Sequence, residues 1–250
     1  NEDQVAIRSG QRYGQRIAPK PEFIQDKAHG YHTEGSALVV GGLGGVGRHV
    51  ACWLVLKAGV THITLSSRQG LERPGAVEFA QELEGHGAKV RVVAADISDR
   101  DSVEALLAGI KKEAPPLSAV FHLAGIADSV PYASLTPSDL ERLLAAKYLG
   151  AKHLHELTQD HALDTFCLFS SIASLWGSGH QAHYAAANSY LDALAAHRHA
   201  MDLPVTSIHF GPWAGGGMVA EEEKAQLTKR GLSLLDPEAT VEALGHLLVH

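Results

Sequence analysis

The stretch ALVVGGLGGVGRHVACWLVLKAG (37–59) decides the fold. Its first part, ALVVGG (37–42), is an apolar run that predicts a buried strand followed by a glycine turn. Its last part, VGRHVACWLVLKAG (46–59), has helical periodicity and stops at a glycine, which predicts a helix. The residues that form the pattern G-x-G-x-x-G are Gly42, Gly44 and Gly47. A glycine loop between a strand and a helix is the arrangement that binds the pyrophosphate of a dinucleotide.

Strands and helices continue to alternate along the rest of the chain. Further strands are predicted at 62–68, 90–99, 117–125, 165–174 and 205–213. Helices are predicted at 74–87, 101–114, 135–159, 184–201 and 236–250, with a short helix over the site at 221–231. This alternation predicts an α/β fold with a doubly wound, Rossmann-like parallel sheet.

The two ends of the chain do not fit a complete domain. Residues 1–34 are polar and punctuated by glycine, and VAIRSGQRYGQRI (5–17) predicts a strand and turn that belong to an upstream unit. The chain also ends inside the predicted helix 236–250 without a seventh strand. We therefore expect a remnant and linker at 1–34 and a C-terminally truncated nucleotide-binding domain at 35–250.

The composition narrows the classes of function. Of 250 residues, 45% are hydrophobic and 20% are charged, and the formal net charge is -7. The absence of a basic run disfavours nucleic acid as a partner. No apolar stretch reaches the roughly 20 residues that cross a bilayer, and no charged-then-apolar leader opens the chain. We expect a cytoplasmic domain that does not contact a membrane.

Cysteines and histidines predict neither a disulfide nor a metal site. Cys52 and Cys167 lie in apolar runs, which is typical of buried core residues in a reducing compartment. The pairs in HLH (153–155) and HRH (197–199) are two residues apart, so their histidines point to different sides of a helix. We expect no metal ligands among them.

The glycine loop and the end of the second strand indicate the cofactor. The loop residues assigned to cofactor binding are Gly42, Leu43, Gly44, Gly45, Val46 and Gly47. NAD-binding domains place a carboxylate about 20 residues further on, at the end of the second strand. Here Ser66, Ser67 and Arg68 stand at that place. Hydroxyls and a guanidinium suit a 2′-phosphate, so we predict NADPH with Ser67 and Arg68 as ligands, a solvated Arg68 being the alternative.

Two later turns complete the predicted cofactor site. Asp96 ends the third predicted strand, where it is placed to accept a hydrogen bond from the adenine amine, and Ile97 follows it. The turn FHLAG (121–125) ends the fourth strand, and its Ala124 and Gly125 are expected to line the adenosine and ribose. Ligands of an open α/β sheet bind in the crevice at these carboxyl ends.

Side chains near the end of the fifth strand suggest a proton donor for carbonyl reduction. A tyrosine can protonate a developing alkoxide if a nearby cation lowers its pKa from about 10, while a hydroxyl holds the substrate oxygen. Tyr184 follows that strand by a short loop, and Ser171 lies near the strand's end. No Lys or Arg lies within one turn after Tyr184, and Arg198 is several turns away. Lys147, on the helix before the strand, is the better candidate for the cation.

The motifs that make the chain recognisable are GGLGGVG (41–47), SSR (66–68), FHLAG (121–125), the Lys147 helix, FSSIASLWGSGHQAHYAAANSYLDALAAHR (169–198) and HFGPWAGGGM (209–218). Together they resemble the ketoreductase domain of modular type I polyketide synthases, a complex short-chain dehydrogenase/reductase. The resemblance covers residues 36–250. Ordinary short-chain dehydrogenases carry a lysine four residues after the tyrosine, whereas this family exchanges that lysine with an asparagine, as Lys147 and Asn188 indicate here.

The resemblance implies a role for each of these residues. Tyr184 is the proton donor, Ser171 orients the ketone oxygen, Lys147 lowers the tyrosine pKa and holds the ribose, and Asn188 supports the helix and a water relay. The implied reaction is the NADPH-dependent reduction of a β-ketoacyl thioester. The implied partners are an acyl carrier protein with its phosphopantetheine arm, neighbouring synthase domains, and a structural subdomain whose tail residues 1–34 resemble.

Two short regions track stereochemistry in this family. One subclass carries Leu-Asp-Asp after the HxAG turn, and residues 127–129 read Ala-Asp-Ser, which disfavours it. The other carries a tryptophan eight residues before the tyrosine, as Trp176 does. The resemblance is thus to an A-type ketoreductase, which forms the L-β-hydroxyl. A histidine three residues before the tyrosine accompanies epimerisation, and Gln181 stands there, which favours the non-epimerising subclass.

The segment after the sixth strand is expected to close the site. By the resemblance, Pro212 and Trp213 belong to the cofactor site and Met218 to the substrate site. The stretch from Met218 to Leu227 is predicted to be a mobile lid. One departure from the family is Val40, which stands where a threonine commonly precedes the first loop glycine.

Two other classes of function are alternatives to the reductase. One is a non-reducing domain kept for structure or for epimerisation of the α-carbon. The other is a nucleotide-sensing protein without turnover. The presence of Ser171, Tyr184, Lys147 and the loop glycines argues against both.

Overall fold

The computed structural model describes residues 5–19, 30–126, 128–215, 227, 229 and 231–249. The strands are β1 (Val5–Arg8), β2 (Gln11–Gly14), β3 (Ser36–Val40), β4 (His62–Ser67), β5 (Lys89–Ala94), β6 (Leu117–His122), β7 (Thr165–Ser171) and β8 (Thr206–Phe210). The α-helices are α1 (Gly45–Leu56), α2 (Ala76–Gly85), α3 (Arg100–Glu113), α4 (Pro137–Leu157), α5 (Ala173–Trp176), α6 (Ala182–Ala200) and α7 (Pro237–Leu247).

Six strands form one parallel sheet, in the order β5-β4-β3-β6-β7-β8. Counted from β3, this is the order 3-2-1-4-5-6 of a doubly wound dinucleotide-binding sheet. The order reverses between β3 and β6, so a crevice opens there at the carboxyl ends of the strands. The predicted fold class is confirmed.

Helices cover both faces of the sheet, and the side chains of β3 alternate between two cores. Ala37 and Val39 pack in one apolar cluster, while Leu38 and Val40 pack in the other. All five residues of β3 are buried. A strand buried on both faces is apolar throughout, which is why the run at 37–40 was recognisable in the sequence.

Several strands end earlier than their apolar runs predict. The strand predicted at 90–99 ends at Ala94, where its last partner on β4 is Ser67. The strand predicted at 165–174 ends at Ser171, opposite Phe210 on β8, and the chain turns into α5. In both cases the strand ends where its neighbour ends, because an extended chain without a partner leaves its backbone groups unpaired.

Residues just before β3 pack with the sheet rather than with the preceding hairpin. The Tyr31 ring stacks on Trp53 at 5.4 Å, and its hydroxyl donates to Thr165 Oγ1 at 3.0 Å. Thr33 Oγ1 lies 2.6 Å from Ser118 Oγ. Tyr31 and Thr33, which precede the boundary predicted at residue 34, thus contact the sheet and its helices, and the boundary stays a prediction. The hairpin of β1 and β2 is exposed throughout.

The described residues include no helix long and apolar enough to cross a membrane. Within the same residues, no group of three or more His, Cys, Asp or Glu side chains is arranged to hold a metal ion. Cys52 and Cys167 are free thiols, the second of them buried.

Candidate active site

Two adjoining cavities open at the carboxyl ends of the parallel strands. The first, of about 770 Å³, is bordered by the glycine loop and the ends of β4, β5 and β6. The second, of about 470 Å³, is bordered by the ends of β7 and β8, by α5 and by the start of α6. Val46 and Leu123 line both cavities. The glycine-loop cavity and the β7 cavity, as we call them, therefore share a wall.

The glycine loop presents backbone amides to the glycine-loop cavity. The Gly44 N–H donates to the Gly41 carbonyl at 2.9 Å, and no side chain caps α1 at Gly44. Gly45 and Val46 open α1 along the cavity, and the N–H groups of a first helical turn lack partners within the helix. A Cβ at Gly47 would overlap the Gly41 carbonyl oxygen, so only glycine fits there.

Gly42 and Leu43 do not line either cavity, and their assignment to cofactor binding stays a prediction. Leu43 is 2% exposed and belongs to the apolar core. A Cβ at Gly42 would lie 2.9 Å from both the Leu65 side chain and the Val39 carbonyl oxygen. Gly42 thus allows the turn to pack closely on the sheet. The Leu43 side chain packs in the apolar core and so fixes the loop to it.

The far end of the glycine-loop cavity carries the residues predicted to distinguish NADPH from NADH. Ser67 and Arg68 line it, together with Arg73, which the sequence analysis missed. Asp96 lines it too, and its Oδ1 accepts hydrogen bonds from the Ser98 hydroxyl at 2.6 Å and N–H at 2.9 Å. These bonds, chiefly that from the Ser98 hydroxyl, hold the pKa of Asp96 below its ordinary value.

Other residues complete the wall of this cavity. The predicted members are Ile97, Ala124 and Gly125, and the unpredicted ones include Gln69, Ser98 and Arg142. The unpredicted residues lie on separate segments that only the folded chain brings to the cavity. Their sequence signal is weak, because single polar residues near strand ends are common.

Tyr184, Ser171 and Lys147 line the β7 cavity together. Ser171 ends β7, and its Oγ accepts a hydrogen bond from the Ala173 N–H at 3.2 Å. Tyr184 lies in the first turn of α6, two residues after the helix begins rather than at its first position. Burial raises the pKa of the Tyr184 phenol, and hydrogen bonding with the Ser171 and Asn188 side chains offsets part of that rise.

Lys147 reaches the β7 cavity from α4 as a buried cation, 3% exposed. Its Nζ donates to the Phe169 carbonyl oxygen at 2.7 Å and lies 5.8 Å from the centroid of the Tyr184 ring. Burial lowers the pKa of Lys147 to about 8, against an opposing effect of Asp192. The net direction of the Tyr184 pKa is upward because burial of the phenol outweighs its hydrogen bonds, and the lowering effect of Lys147 stays a prediction.

Asn188 lies one helical turn after Tyr184 and is fully buried, so it borders the site without lining a cavity. Its Nδ2 donates to the Tyr184 carbonyl oxygen at 2.7 Å. Its Oδ1 has no hydrogen-bond partner among the described residues. Ser170 Oγ donates to the Asn188 carbonyl at 3.3 Å, which ties α6 to the end of β7.

The residues predicted for substrate contact lie around the mouth of the β7 cavity. Trp176, on α5, lines it with 56% of its surface exposed, and Gln181 lines it at the start of α6. Pro212 and Trp213 also line this cavity, and their assignment to the cofactor site stays a prediction. Met218, the lid around it and Ala127 lie outside the described residues, although Leu227 is described and lines the cavity.

Behind this cavity lies a cluster of polar residues that the sequence analysis missed. Asp192, on α6, accepts a hydrogen bond from Ser207 Oγ at 2.8 Å, and its Oδ2 lies 3.0 Å from His209 Nε2. A signal for Asp192 existed, because it follows Tyr184 and Asn188 at spacings of eight and four residues on one helix face.

Comparison with known proteins identifies the family. A model of the KR domain matches residues 35–215. The chain belongs to the KR domain family. Among the relatives of this KR domain, polyketide synthase GfsA of Streptomyces halstedii is 43% identical over 252 residues, which is 99% of this chain and 3% of that protein. The pikromycin polyketide synthase component PikAIII of Streptomyces venezuelae is 39% identical over 249 residues, 100% of this chain and 16% of that protein.

Solved structures agree with this assignment. An A1-type ketoreductase is 44% identical with a TM-score of 0.88, over 99% of this KR domain chain and 52% of that chain. PlmKR1 is the ketoreductase from the first module of phoslactomycin biosynthesis in Streptomyces sp. HK803. It is 38% identical with a TM-score of 0.89, over 98% of this chain and 56% of that chain. The resemblance to ketoreductase domains of modular polyketide synthases is confirmed. The KR domain chain spans about half of these solved chains and a small part of the curated relatives.

Proposed function

We propose that this KR domain reduces a β-ketoacyl thioester, carried by an acyl carrier protein, to the L-β-hydroxyacyl thioester with NADPH. The observation that carries the proposal is the convergence of Ser171, Tyr184 and Lys147 on a cavity that adjoins the glycine-loop cavity. The family supports it, because the relatives are named as polyketide synthases and the solved neighbours as ketoreductases.

The glycine-loop cavity fits a phosphorylated dinucleotide in its chemistry. Amides of the first turn of α1 are donors for a pyrophosphate, and the missing side chain at Gly47 keeps the turn tight. Arg68 and Arg73 bring two guanidinium groups to the end where Ser67 offers a hydroxyl, a set that suits a 2′-phosphate. When bound, NADPH supplies the hydride that reduces the ketone carbon.

Ser171 and Tyr184 act on the ketone oxygen. The Ser171 oxygen accepts from the Ala173 N–H, which leaves its own O–H to donate to a substrate oxygen in the cavity. The raised pKa keeps the Tyr184 phenol protonated at neutral pH, so the phenol holds the proton that the developing alkoxide takes. Transfer runs toward the oxygen because an alkoxide is a stronger base than a phenolate.

Lys147 and Asn188 support this proton transfer. The Lys147 ammonium is buried beside the phenol, where a positive charge stabilises the phenolate that remains after donation. Asn188 holds the Tyr184 backbone through its Nδ2 and offers an unpaired Oδ1 to a water that returns a proton to the phenol. With the lysine on α4 and the asparagine on α6, the site therefore keeps both a cation beside the phenol and an amide that holds the Tyr184 backbone.

The configuration of the product depends on the side from which the substrate enters. Both faces of a nearly symmetric β-ketoacyl chain are reactive, so the enzyme selects by directing the thioester arm. Trp176 forms part of the cavity mouth and Gln181 lies nearby, and we assign to them the steering that yields the L-alcohol. Similarity to an A1-type ketoreductase supports this assignment.

The experiment that tests the proposal measures NADPH oxidation with a short β-ketoacyl thioester and resolves the alcohol on a chiral column. We expect turnover and a single L-hydroxyl product. A D-product would overturn the stereochemical part and keep the reductase. Binding of NADPH by the folded protein without turnover would overturn the reductase and favour a non-reducing domain. A parallel run with NADH tests the choice of cofactor.

A further inference from the structure

Asp192 contacts two polar side chains of β8 behind the β7 cavity. Ser207 Oγ donates to Asp192 Oδ1 at 2.8 Å, and His209 Nε2 lies 3.0 Å from Oδ2. The hydroxyl groups of Ser170, on β7, and Ser174, on α5, lie near the carboxylate as well, while they donate to backbone carbonyl oxygens. Burial on its own raises the pKa of Asp192, but these hydrogen bonds outweigh it and lower the pKa to about 2. Asp192 is therefore anionic at neutral pH.

Ser170 and Ser174 flank the serine that we assign to the ketone oxygen. Ser170 precedes Ser171, and Ser174 Oγ donates to the Ser171 carbonyl oxygen at 2.9 Å. Ser170 Oγ donates to the Asn188 carbonyl oxygen. Asp192 anchors α6, the helix that carries Tyr184, to β8, where His209 pairs with Ser170 of β7. This anchor acts on the spacing between Tyr184 and Ser171, because Ser171 directly follows Ser170.

Asp192 shares one face of α6 with Tyr184, whose ring centroid lies 5.8 Å from the Lys147 Nζ. The titratable groups of the described structure that act on Lys147 or lie beside it include Tyr184 and Asp192 on α6 and His122 on β6. Burial lowers the pKa of His122 to about 3, so its ring is neutral, and the phenol of Tyr184 is neutral as well. Of these three groups, Asp192 alone is negative, and it favours the charged form of the buried lysine. His209 is the titratable group that faces Asp192 from β8.

We propose that Asp192 is a positioning residue of the reaction, which holds α6 and its Tyr184 against the ends of β7 and β8 and places a negative charge on the helix face that meets Lys147. This inference rests on the proposed function, because it assigns Asp192 a part in the same site. A carboxylate at this place combines two effects, since its hydrogen bonds orient neighbouring groups and its charge acts through the low-dielectric interior. An amide of the same shape supplies only the first effect.

The test separates charge from shape with Asp192→Asn. Protein labelled with ¹³C at the lysine ε-carbon reports the titration of Lys147 by NMR, and the Lys147 signal is the one that Lys147→Met removes. We expect the titration midpoint to fall by about half a pH unit or more in Asp192→Asn. We also expect kcat to fall roughly tenfold, with a smaller change in KM. Asp192→Ser is the second variant, because its short side chain removes the contacts with Ser207 and His209 as well as the charge.

Asp164→Asn is the matched control, because Asp164 accepts from Thr33 Oγ1 at the opposite end of β7. The control should leave both the Lys147 midpoint and kcat unchanged. A Lys147 midpoint that stays the same in folded Asp192→Asn would overturn the electrostatic part, and an unchanged kcat in folded Asp192→Ser would overturn the positioning part. The NMR titration needs no turnover, so it stands or fails separately from the proposed reductase activity.

Discussion

Lys147 and Tyr184 come from different helices and meet at the carboxyl end of β7. The Lys147 Nζ lies 5.8 Å from the centroid of the Tyr184 ring and donates to the Phe169 carbonyl oxygen at 2.7 Å. Asn188 occupies the position one turn after Tyr184 on α6, so the positive charge beside the phenol comes from α4. The Asn188 side-chain Nδ2 donates to the Tyr184 carbonyl oxygen.

Tyr184→Phe removes the proposed proton donor and keeps the ring. We expect kcat to fall on the order of 10²-fold or more, because no other group supplies the proton at that place. NADPH affinity, followed by fluorescence, should stay near that of the unchanged protein. Tyr132→Phe is the matched control, since Tyr132 is 81% exposed and lines neither cavity. Near-normal turnover in Tyr184→Phe would exclude Tyr184 as the donor.

Lys147→Met should lower activity and raise stability. The pKa of about 8 in the folded chain lies below the ordinary 10.5, so the folded state binds fewer protons than the unfolded state between these values. The contribution of Lys147 to the free energy of unfolding therefore rises with pH between about 8 and 10.5. Below this pH range the buried charge of Lys147 destabilises the fold. Removing the charge should raise the free energy of unfolding at pH 7 by about 1–3 kcal/mol.

Urea denaturation at pH 7 and near pH 10 checks this prediction. The difference between Lys147→Met and the unchanged protein should be largest at pH 7 and shrink at the higher pH. Turnover of the variant should fall at least roughly tenfold. A variant that is less stable at pH 7 would show that the bond to the Phe169 carbonyl outweighs the cost of burying the charge.

Arg68→Ala should narrow the preference for NADPH over NADH. Loss of a guanidinium that contacts a phosphate weakens binding of the phosphorylated cofactor, and we expect the ratio of kcat/KM values to fall about tenfold or more. The kcat/KM value with NADH as the cofactor should change little. Arg12→Ala, on the exposed β2 strand, is the control and should leave the ratio as it is. A ratio that holds in Arg68→Ala would refute the 2′-phosphate assignment.

Gly125→Ala should disturb Lys147 through a single methyl group. A Cβ at Gly125 would lie 2.7 Å from the Lys147 Cε, so the lysine chain must move. We expect kcat/KM to fall roughly tenfold and stability to drop by about 1–2 kcal/mol, measured by turnover and urea denaturation. Gly85→Ala is the control, because nothing lies within 4 Å of its Cβ position on α2. Unchanged turnover in Gly125→Ala would contradict a fixed position for Lys147.

The strand–loop–helix at the start of the sheet was predictable because its signals are local. The apolar run before the loop is buried on both faces, and the glycines at 44 and 47 have conformational or packing reasons to be glycine. The ends of strands were not predictable in the same way. Apolar character continues past Ala94 and Ser171, but the sheet stops where the neighbouring strands stop. That limit depends on a partner that is distant in the sequence.

The candidate site likewise contains residues that the sequence predicted and residues that only the structure revealed. Tyr184, Ser171, Lys147 and Asn188 were named from spacing and from the family resemblance, and their roles remain predictions. Leu43 was assigned to the cofactor because it lies within the loop motif, but its side chain enters the core. Arg73 was missed because it stands alone in its segment, and Asp192 was missed although its spacing places it on the helix face of Tyr184 and Asn188. They join the site only through packing of the chain.

The sequence by itself determined the alternation of strands and helices, the glycine loop and the identity of the groups available for chemistry, because these follow from local pattern and residue type. Tertiary structure decided which of those groups meet and with what charge. Packing of α4 and α6 against β7 brings Lys147 to Tyr184, and burial there lowers the pKa of the lysine to about 8 while Asp192 opposes the shift. Such effects depend on distance and desolvation, which exist only once the helices have packed on the sheet.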